Sequence, residues 1–235
     1  MTQKLENRIA LITGASRGLG AAIAQAYAKE GAQVILLARN VKALEEVDDR
    51  IQAAGGKATL MPFDLLQTDK IEAIGPTIAE RFGKLDIFVG NAAMLGALSP
   101  VSHTDPKTQD KVFNVNYFAN VQMIRTLDPL LRGSDAGRAI FVTSGAATAH
   151  TPYWSTYAAS KAALECMAAT YAAEVAFSPL KVNIVDPGIL RTGLRAEAFP
   201  GEDPLELPEP ADITQRFIDL AAPDCTETGQ IVKAA

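Results

Sequence analysis

The sequence is poor in cysteine and histidine, and it lacks an excess of basic charge. Its two cysteines, Cys166 and Cys225, lie far apart and form no metal-ligand pattern. We therefore expect no structural disulfide and no metal site, and a reducing cytoplasm is the expected location. The formal net charge of −5 argues against a nucleic-acid partner or an anionic membrane surface, because both require a basic face.

The sequence also lacks a long hydrophobic run. The apolar run near the N-terminus is too short for a signal peptide or a membrane span, so neither is expected. What the chain does have is 48% hydrophobic and 21% charged residues over 235 positions. This composition is sufficient to bury a core, and we expect residues 1–235 to form a single domain.

Short apolar runs alternate along the chain with longer amphipathic segments. The runs barely alternate between polar and apolar residues, which is typical of strands covered on both faces. The predicted strands are 8–13, 33–38, 57–62, 85–90, 138–143 and 181–186. The predicted helical segments are 19–30, 41–54, 67–81, 106–132 and 153–177. The alternation predicts an α/β fold with one doubly wound parallel sheet, a Rossmann fold, flanked by helices on both faces.

One stretch departs from this pattern. Residues 196–211 are rich in proline and acidic residues, and their apolar periodicity fails. Long loops in compact domains are often functional, so residues 189–210 are predicted to form a loop that covers the substrate. A plain solvated surface loop is the alternative.

A glycine-rich loop follows the first predicted strand and opens the first helix. Its spacing is G-x-x-x-G-x-G, which lets the backbone turn tightly and approach a ligand closely. The helix start adds unpaired N–H groups and a positive dipole end, which suit a pyrophosphate. A tight turn without a ligand is the alternative. The loop residues predicted to bind a dinucleotide are Gly14, Ser16, Arg17, Gly18, Leu19 and Gly20.

The end of the second strand discriminates between two cofactors. An acidic residue there would bind the ribose hydroxyl of NAD, whereas an arginine accommodates the 2′-phosphate of NADP. The strand ends with Arg39, and Arg17 supplies a second guanidinium in the glycine loop. The sequence therefore predicts NADP(H), with two solvated arginines as the alternative.

Tyr157 and Lys161 lie four positions apart in the segment STYAASK, so a helix places them on one face. A nearby ammonium favours phenolate. At about 4 Å and an effective dielectric near 20, the attraction is about 4 kcal/mol, or on the order of three pKa units. We therefore expect the phenol to titrate close to neutral pH, where general acid–base catalysis works best. A solvated, non-catalytic pair is the alternative for this motif taken alone.

Taken together, the motifs resemble those of the short-chain dehydrogenase/reductase family over nearly the whole chain. The resemblance is carried by TGASRGLG at 13–20, Asp64, GNAA at 90–93, FNVNY at 113–117, Ser144, YAASK at 157–161 and DPGILRT at 186–192.

The resemblance implies catalytic roles. Tyr157 would donate a proton to a carbonyl, and Ser144 would hydrogen-bond the same oxygen. Lys161 would lower the Tyr157 pKa and bind the nicotinamide ribose. Asn116 would hold a water in a proton relay, with Asn114 as the competing candidate.

The resemblance also implies further cofactor contacts and an oligomer. The additional cofactor-binding residues are Asp64, Leu65, Asn91, Ala92, Pro187, Gly188, Ile189 and Thr192, besides Tyr157 and Lys161. The sequence departs from the family at Gly90 and Ala93, which replace Asn and Gly, and in a short C-terminus. A homodimer or homotetramer is expected.

The predicted substrate-binding residues are Met94, His150 and Trp154. With Leu95, Ile189 and Leu194 they form a mainly apolar set, which favours a small, partly apolar carbonyl compound. The predicted activity is the NADPH-dependent reduction of a carbonyl, reversible as alcohol oxidation. The alternatives are a catalytically silent NADP(H)-binding redox sensor, a 3-oxoacyl-carrier reductase and a nucleotide-sugar epimerase or dehydratase. Cys166 is expected to be buried.

Overall fold

Short strands pair side by side in a parallel sheet at the centre of the computed structural model, which describes residues 3–234. Within these residues the sheet has seven strands in the order β3-β2-β1-β4-β5-β6-β7. The strands are β1 (Ile9–Thr13), β2 (Gln33–Ala38), β3 (Lys57–Pro62), β4 (Ile87–Gly90), β5 (Arg138–Val142), β6 (Lys181–Asp186) and β7 (Ile231–Lys233).

Helices connect the strands and cover the sheet. They are α1 (Gly18–Lys29), α2 (Val41–Ala53), α3 (Ile74–Phe82), α4 (Pro106–Phe113), α5 (Ala119–Gly133), α6 (Ala146–Ala149), α7 (Ser155–Glu174), α8 (Gly193–Ala198) and α9 (Thr214–Ala221). The predicted fold class, a doubly wound parallel sheet with helices on both faces, is confirmed.

The core consists of two apolar layers, one on each face of the sheet. Along β1, Ala10 and Ile12 belong to one layer, whereas Ile9 and Leu11 belong to the other. Because successive side chains of a strand point to opposite faces, a strand buried on both faces has to be apolar at every position. This requirement explains why the strand sequences show no polar alternation.

The structure differs from the sequence prediction in several elements. The short strand β7 was not predicted, because its three residues are too few to show a pattern. The predicted helix 106–132 is interrupted by a π-helical turn at Asn114–Phe118. The predicted helix 67–81 begins with a 3-10 segment, Thr68–Ala73. Residues 196–211 include short 3-10 turns rather than a continuous irregular loop.

The topology places a crevice at the carboxyl ends of the strands. β1 pairs with β2 on one side and with β4 on the other. The connections that follow β1 and β4 therefore run in opposite directions along the sheet. In open parallel sheets, ligands bind at this switch point. None of the helices in residues 3–234 is long and apolar enough to cross a membrane.

Candidate active site

A single continuous cavity of about 850 Å³ opens at the carboxyl edge of the sheet. Its volume lies within the range of small-molecule sites, which is about 300–1,000 Å³. The cavity runs from the glycine loop and the end of β2 to the end of β5 and the start of α7. It is covered on one side by the segment that follows β6.

Most of the predicted site residues line this cavity. Those that do are Gly14, Ser16, Arg17, Gly18, Leu19, Arg39, Asp64, Leu65, Asn91, Ala92, Met94, Ser144, Trp154, Tyr157, Lys161, Pro187, Gly188, Ile189 and Thr192. Three predicted residues do not line the cavity. Gly20 and Asn116 are buried, and His150 is exposed.

The glycine loop is held by close backbone packing. Gly14 has a φ of 66°, which glycine adopts without strain. A Cβ at Gly20 would lie 2.3 Å from the carbonyl oxygen of Gly14 and 2.6 Å from Asn91 Nδ2. Asn91 Nδ2 donates to the carbonyl oxygen of Thr13 at 2.9 Å. Glycine is therefore required at position 20 by packing inside the loop, even though this residue does not face the cavity.

Two exposed arginines lie at the end of the cavity that the glycine loop and β2 share. Among the nine salt bridges of the described residues, none involves Arg17 or Arg39. Asn40 follows Arg39, lines the same end and caps α2 by accepting from Ala43 N at 3.2 Å. This end of the cavity thus combines unpaired guanidinium groups with a helix start, which suits a phosphate.

Tyr157, Lys161 and Ser144 converge at the other end. Ser144 follows β5, whereas Tyr157 and Lys161 lie one turn apart on α7. The Tyr157 side chain is 5% exposed and Lys161 is 1% exposed, so both groups are shielded from water. Lys161 Nζ donates to the carbonyl oxygen of Val142 at 2.8 Å and lies 5.9 Å from the centre of the Tyr157 ring.

The expectation of a phenol that titrates near neutral pH is wrong in this structure. Burial raises the Tyr157 pKa to about 12, against a smaller lowering by a hydrogen bond with Ser144. Asp186 raises it further. The Lys161 ammonium is directed to the Val142 carbonyl oxygen, and burial lowers the pKa of Lys161 to about 8, against a smaller effect of Glu165. Desolvation therefore outweighs the attraction that spacing alone predicted.

Asn116 is fully buried within the π-helical turn between α4 and α5. Its Oδ1 accepts from Met94 N at 2.8 Å, and its Nδ2 donates to Met94 O at 3.0 Å and to Ser160 Oγ at 2.9 Å. Such turns are frequent at functional sites. The side chain thus links the segment after β4 to α7, next to Lys161, and its role in a water relay stays a prediction.

Gly90, which departs from the family pattern, has a local explanation. A Cβ at this position would lie 2.4 Å from Asn120 Oδ1 and 2.9 Å from the Phe141 ring. Asn120 is buried and donates to the carbonyl oxygen of Asn116 at 3.0 Å. Its amide occupies the space that a larger residue at position 90 would need.

The segment after β6 packs against the glycine loop. Gly188 has a φ of 70°, and its N–H donates to Asp186 Oδ1 at 3.1 Å. A Cβ at Gly18 would lie 3.5 Å from Thr192 Cγ2, and one at Gly193 would lie 3.4 Å from the Arg17 guanidinium. The Pro187–Thr192 segment and the loop thus close the cavity from opposite sides.

The predicted substrate residues differ in their placement. Met94 and Trp154 line the cavity, and the Trp154 ring lies next to that of Tyr157. His150 adopts a positive φ of 50° and is exposed, whereas its neighbours Ala149 and Thr151 line the cavity. The structure therefore brings two of the three to the site.

Sequence reasoning missed three residues of this region. Asn40 could have been found from its position directly after Arg39. Glu165, which accepts from Thr143 Oγ1 at 2.6 Å, lies one turn after Lys161 in the sequence. Phe199 lines the cavity from residues 189–210, called the covering segment below, where no periodic pattern indicated it. The expectation that Cys166 is buried is wrong, because it lies on an exposed face of α7.

Comparison with known proteins assigns the chain to a family. The family model described as short chain dehydrogenase matches residues 8–203. The uncharacterized oxidoreductase YciK of Escherichia coli K12 is 39% identical over 223 residues, which are 94% of this chain and 88% of that protein.

Solved structures agree with this assignment. One from Shigella flexneri 2a strain 301, complexed with NADP, is 36% identical with a TM-score of 0.95 and covers 100% of this chain and 99% of its own. One from Escherichia coli CFT073, complexed with NADPH, is 38% identical with a TM-score of 0.95 and covers 100% and 99%. A match over most of the sequence and over the whole fold leaves one conclusion: the chain belongs to the short-chain dehydrogenase family.

Proposed function

We propose that the protein reduces a carbonyl group with NADPH and, in reverse, oxidises the corresponding alcohol. The observation that carries this proposal is one continuous cavity with unpaired arginines at one end and the Ser144, Tyr157 and Lys161 side chains at the other. The proposal is supported by family membership and by related structures that hold NADP or NADPH.

The residues present fit a dinucleotide. Gly14 and Gly18 line the cavity with positive φ angles of 66° and 55°, which let the loop backbone approach a pyrophosphate closely. Arg17 and Arg39 would hold the 2′-phosphate, and Asp64 and Leu65 would contact the adenine side. Asn91, Ala92 and the Pro187–Thr192 segment would hold the nicotinamide side. When bound, the cofactor would supply the hydride.

The catalytic proton would come from Tyr157. With a pKa of about 12 the phenol keeps its proton at neutral pH, so this proton is available to a carbonyl oxygen. Ser144 would donate a hydrogen bond to the same oxygen and so stabilise the developing negative charge. After the transfer, the Lys161 ammonium would stabilise the phenolate. Asn116 would keep Met94 and α7 in register and is our candidate for the proton relay.

We also propose that residues 189–210 cover the substrate and, with Met94 and Trp154, contact its apolar part. This assignment is supported by Ile189, Leu190 and Leu194, which line the cavity from this segment. A small, partly apolar carbonyl compound is the proposed substrate class.

We also propose a cytoplasmic location and a homo-oligomeric assembly. Cys166 and Cys225 are both free thiols, in agreement with a reducing cytoplasm. Phe118 at the end of the π-helical turn and Val121 in the first turn of α5 are exposed hydrophobic residues, in agreement with a homodimer or homotetramer. Light scattering of the purified protein tests the assembly, and a monomer at all concentrations would rule it out.

The experiment for the proposed reaction follows NADPH absorbance with a panel of neutral ketones and aldehydes. We expect turnover with NADPH and slower turnover with NADH. NADPH binding is measured in parallel by energy transfer from Trp154, which is the single tryptophan of the chain. Tight NADPH binding without turnover of any carbonyl would contradict the enzyme and favour a redox sensor.

A further inference from the structure

An aromatic surface extends from the Tyr157 phenol into the substrate end of the cavity. The Trp154 ring centre lies 5.9 Å from that of Tyr157 at an angle of 73°. The Phe199 ring centre lies 5.7 Å from that of Trp154 at 33°. Both Trp154 and Phe199 line the cavity. The spacings match those that aromatic pairs prefer, about 4.5–7 Å between ring centres.

The covering segment holds Phe199 in this place. The Arg195 guanidinium lies 3.7 Å from the centre of the Phe199 ring. The same guanidinium donates two hydrogen bonds of 2.6 Å to Glu202. A second ion pair at 3.0 Å joins Arg191 to Glu209 and ties the two ends of the segment together. The bidentate contact with Glu202 therefore holds the Arg195 guanidinium, and the guanidinium positions the Phe199 ring.

The charged residues that residues 189–210 contribute to the cavity lining are paired or unfavourable to an anion. The positive charge of Arg195 is neutralised by Glu202, so it offers no counter-ion to a ligand. Glu197 lines the cavity from α8, and its carboxylate would repel a negatively charged group. The lining of the cavity also includes the apolar residues Met94, Leu95 and Val115.

We propose that Trp154 and Phe199 form a subsite that selects carbonyl compounds carrying an uncharged aromatic ring beside the carbonyl group. This inference rests on the proposed function, because the carbonyl oxygen has to lie at Tyr157. The ring of the substrate would continue the aromatic surface, which contributes stabilisation beyond the burial of apolar area. An aliphatic ring of similar size would gain only the burial.

The test uses three ketones and two variants. Acetophenone and cyclohexyl methyl ketone have rings of similar size, and 4-acetylbenzoate adds a negative charge. We expect kcat/KM to be highest for acetophenone and lowest for 4-acetylbenzoate. Phe199→Leu should reduce the ratio of acetophenone to cyclohexyl methyl ketone by about three- to tenfold, as one aromatic pair is worth. Because intrinsic reactivity cancels in this comparison of ratios, the change reports the subsite alone.

A matched control is Phe177→Leu, since Phe177 is fully exposed after the end of α7. This variant should leave the ratio unchanged. An unchanged ratio in Phe199→Leu, or a preference for 4-acetylbenzoate, would overturn the subsite while turnover of ketones upheld the reaction.

A binding measurement separates the two proposals. The alcohols 1-phenylethanol and 1-cyclohexylethanol are titrated while the Trp154 fluorescence is recorded. We expect tighter binding of the aromatic alcohol, and loss of this preference in Phe199→Leu. If no ketone is turned over but the preference is seen, the subsite stands and the proposed reaction fails. Equal binding of both alcohols would overturn the subsite.

Discussion

Thr143 Oγ1 donates a hydrogen bond of 2.6 Å to the Glu165 carboxylate. Thr143 is buried directly after β5, one residue before Ser144, and Glu165 lies on α7 one turn after Lys161. The bond therefore joins the two elements that carry the Ser144 hydroxyl and the Tyr157 phenol. Glu165 also raises the pKa of Lys161, against the larger lowering by burial.

Glu165→Gln should shift the pH dependence of carbonyl reduction. Turnover should fall on the alkaline side as Lys161, whose pKa is about 8, loses the proton that stabilises the phenolate. Glutamine can still accept from Thr143 but carries no charge, so the Lys161 pKa falls and the alkaline limb of the pH–rate profile moves to lower pH. Glu174→Gln, on an exposed position of the same helix, is the matched control. If the alkaline limb of the pH–rate profile is the same in Glu165→Gln and wild type, the Glu165 carboxylate does not act on Lys161.

Lys161→Met should abolish turnover and stabilise the fold at neutral pH. The difference between the ordinary pKa of 10.5 and about 8 in the folded chain corresponds to a cost of about 3 kcal/mol for the buried ammonium. The unpaired carbonyl oxygen of Val142 offsets part of the gain.

The difference in stability between wild type and Lys161→Met should depend on pH, because Lys161 has different pKa values in the folded and unfolded chains. Below about pH 8 the lysine is protonated in both states, and the folded state bears the cost. Between about 8 and 10.5 the unfolded chain binds more protons, so wild-type stability rises with pH relative to Lys161→Met. Urea unfolding of both proteins at several pH values measures this difference. A constant difference from pH 7 to 10.5 would contradict the lowered pKa.

Arg39→Asp should lower the affinity for NADP and shift the cofactor preference towards NAD. Loss of a guanidinium that binds the 2′-phosphate should weaken NADP binding by about 10- to 100-fold, as for a hydrogen-bonded charge pair. NAD binding should be retained or improved, because an acid can bind the ribose hydroxyl. Arg50→Asp, near the far end of α2, should leave both affinities unchanged. Equal NADP affinity in Arg39→Asp and wild type would overturn the phosphate assignment.

Gly20→Ala should destabilise the protein and weaken NADPH binding together. The added methyl group would overlap the carbonyl oxygen of Gly14, so the loop has to move, at a cost of about 1–3 kcal/mol. Gly201→Ala is the control, because nothing lies within 4 Å of a Cβ there. Thermal unfolding and NADPH titration of both variants check the expectation. A Gly20→Ala protein with wild-type binding would show that the loop does not shape the cofactor site.

The sequence predicted the sheet and the cavity well, because both depend on local patterns. Strands such as β2 and β6 were found at their observed bounds, since burial on both faces leaves an uninterrupted apolar run. The glycine loop and most of the predicted lining residues meet in one cavity, because parallel strands end at one edge of the sheet.

Features that depend on three-dimensional surroundings were not predicted. The Tyr157 pKa rises because the folded protein buries the phenol, and the spacing of Tyr157 and Lys161 contains no information about burial. The π-helical turn at Asn116 is stabilised by contacts with Met94 and Ser160, both distant in sequence. Phe199 reaches the cavity through its contacts with Trp154 and Arg195, which no periodicity indicates.

Tyr157→Phe, assayed side by side for turnover and for NADPH binding, tests the central claim most directly. The variant removes one hydroxyl from a buried ring and leaves the surrounding packing intact. We expect carbonyl reduction to fall by at least about a hundredfold, because the proton donor is lost. NADPH affinity, read from energy transfer from Trp154, should remain within about twofold of wild type, since the phenol contributes little to binding. A variant that reduces ketones at a rate comparable to wild type would contradict the account.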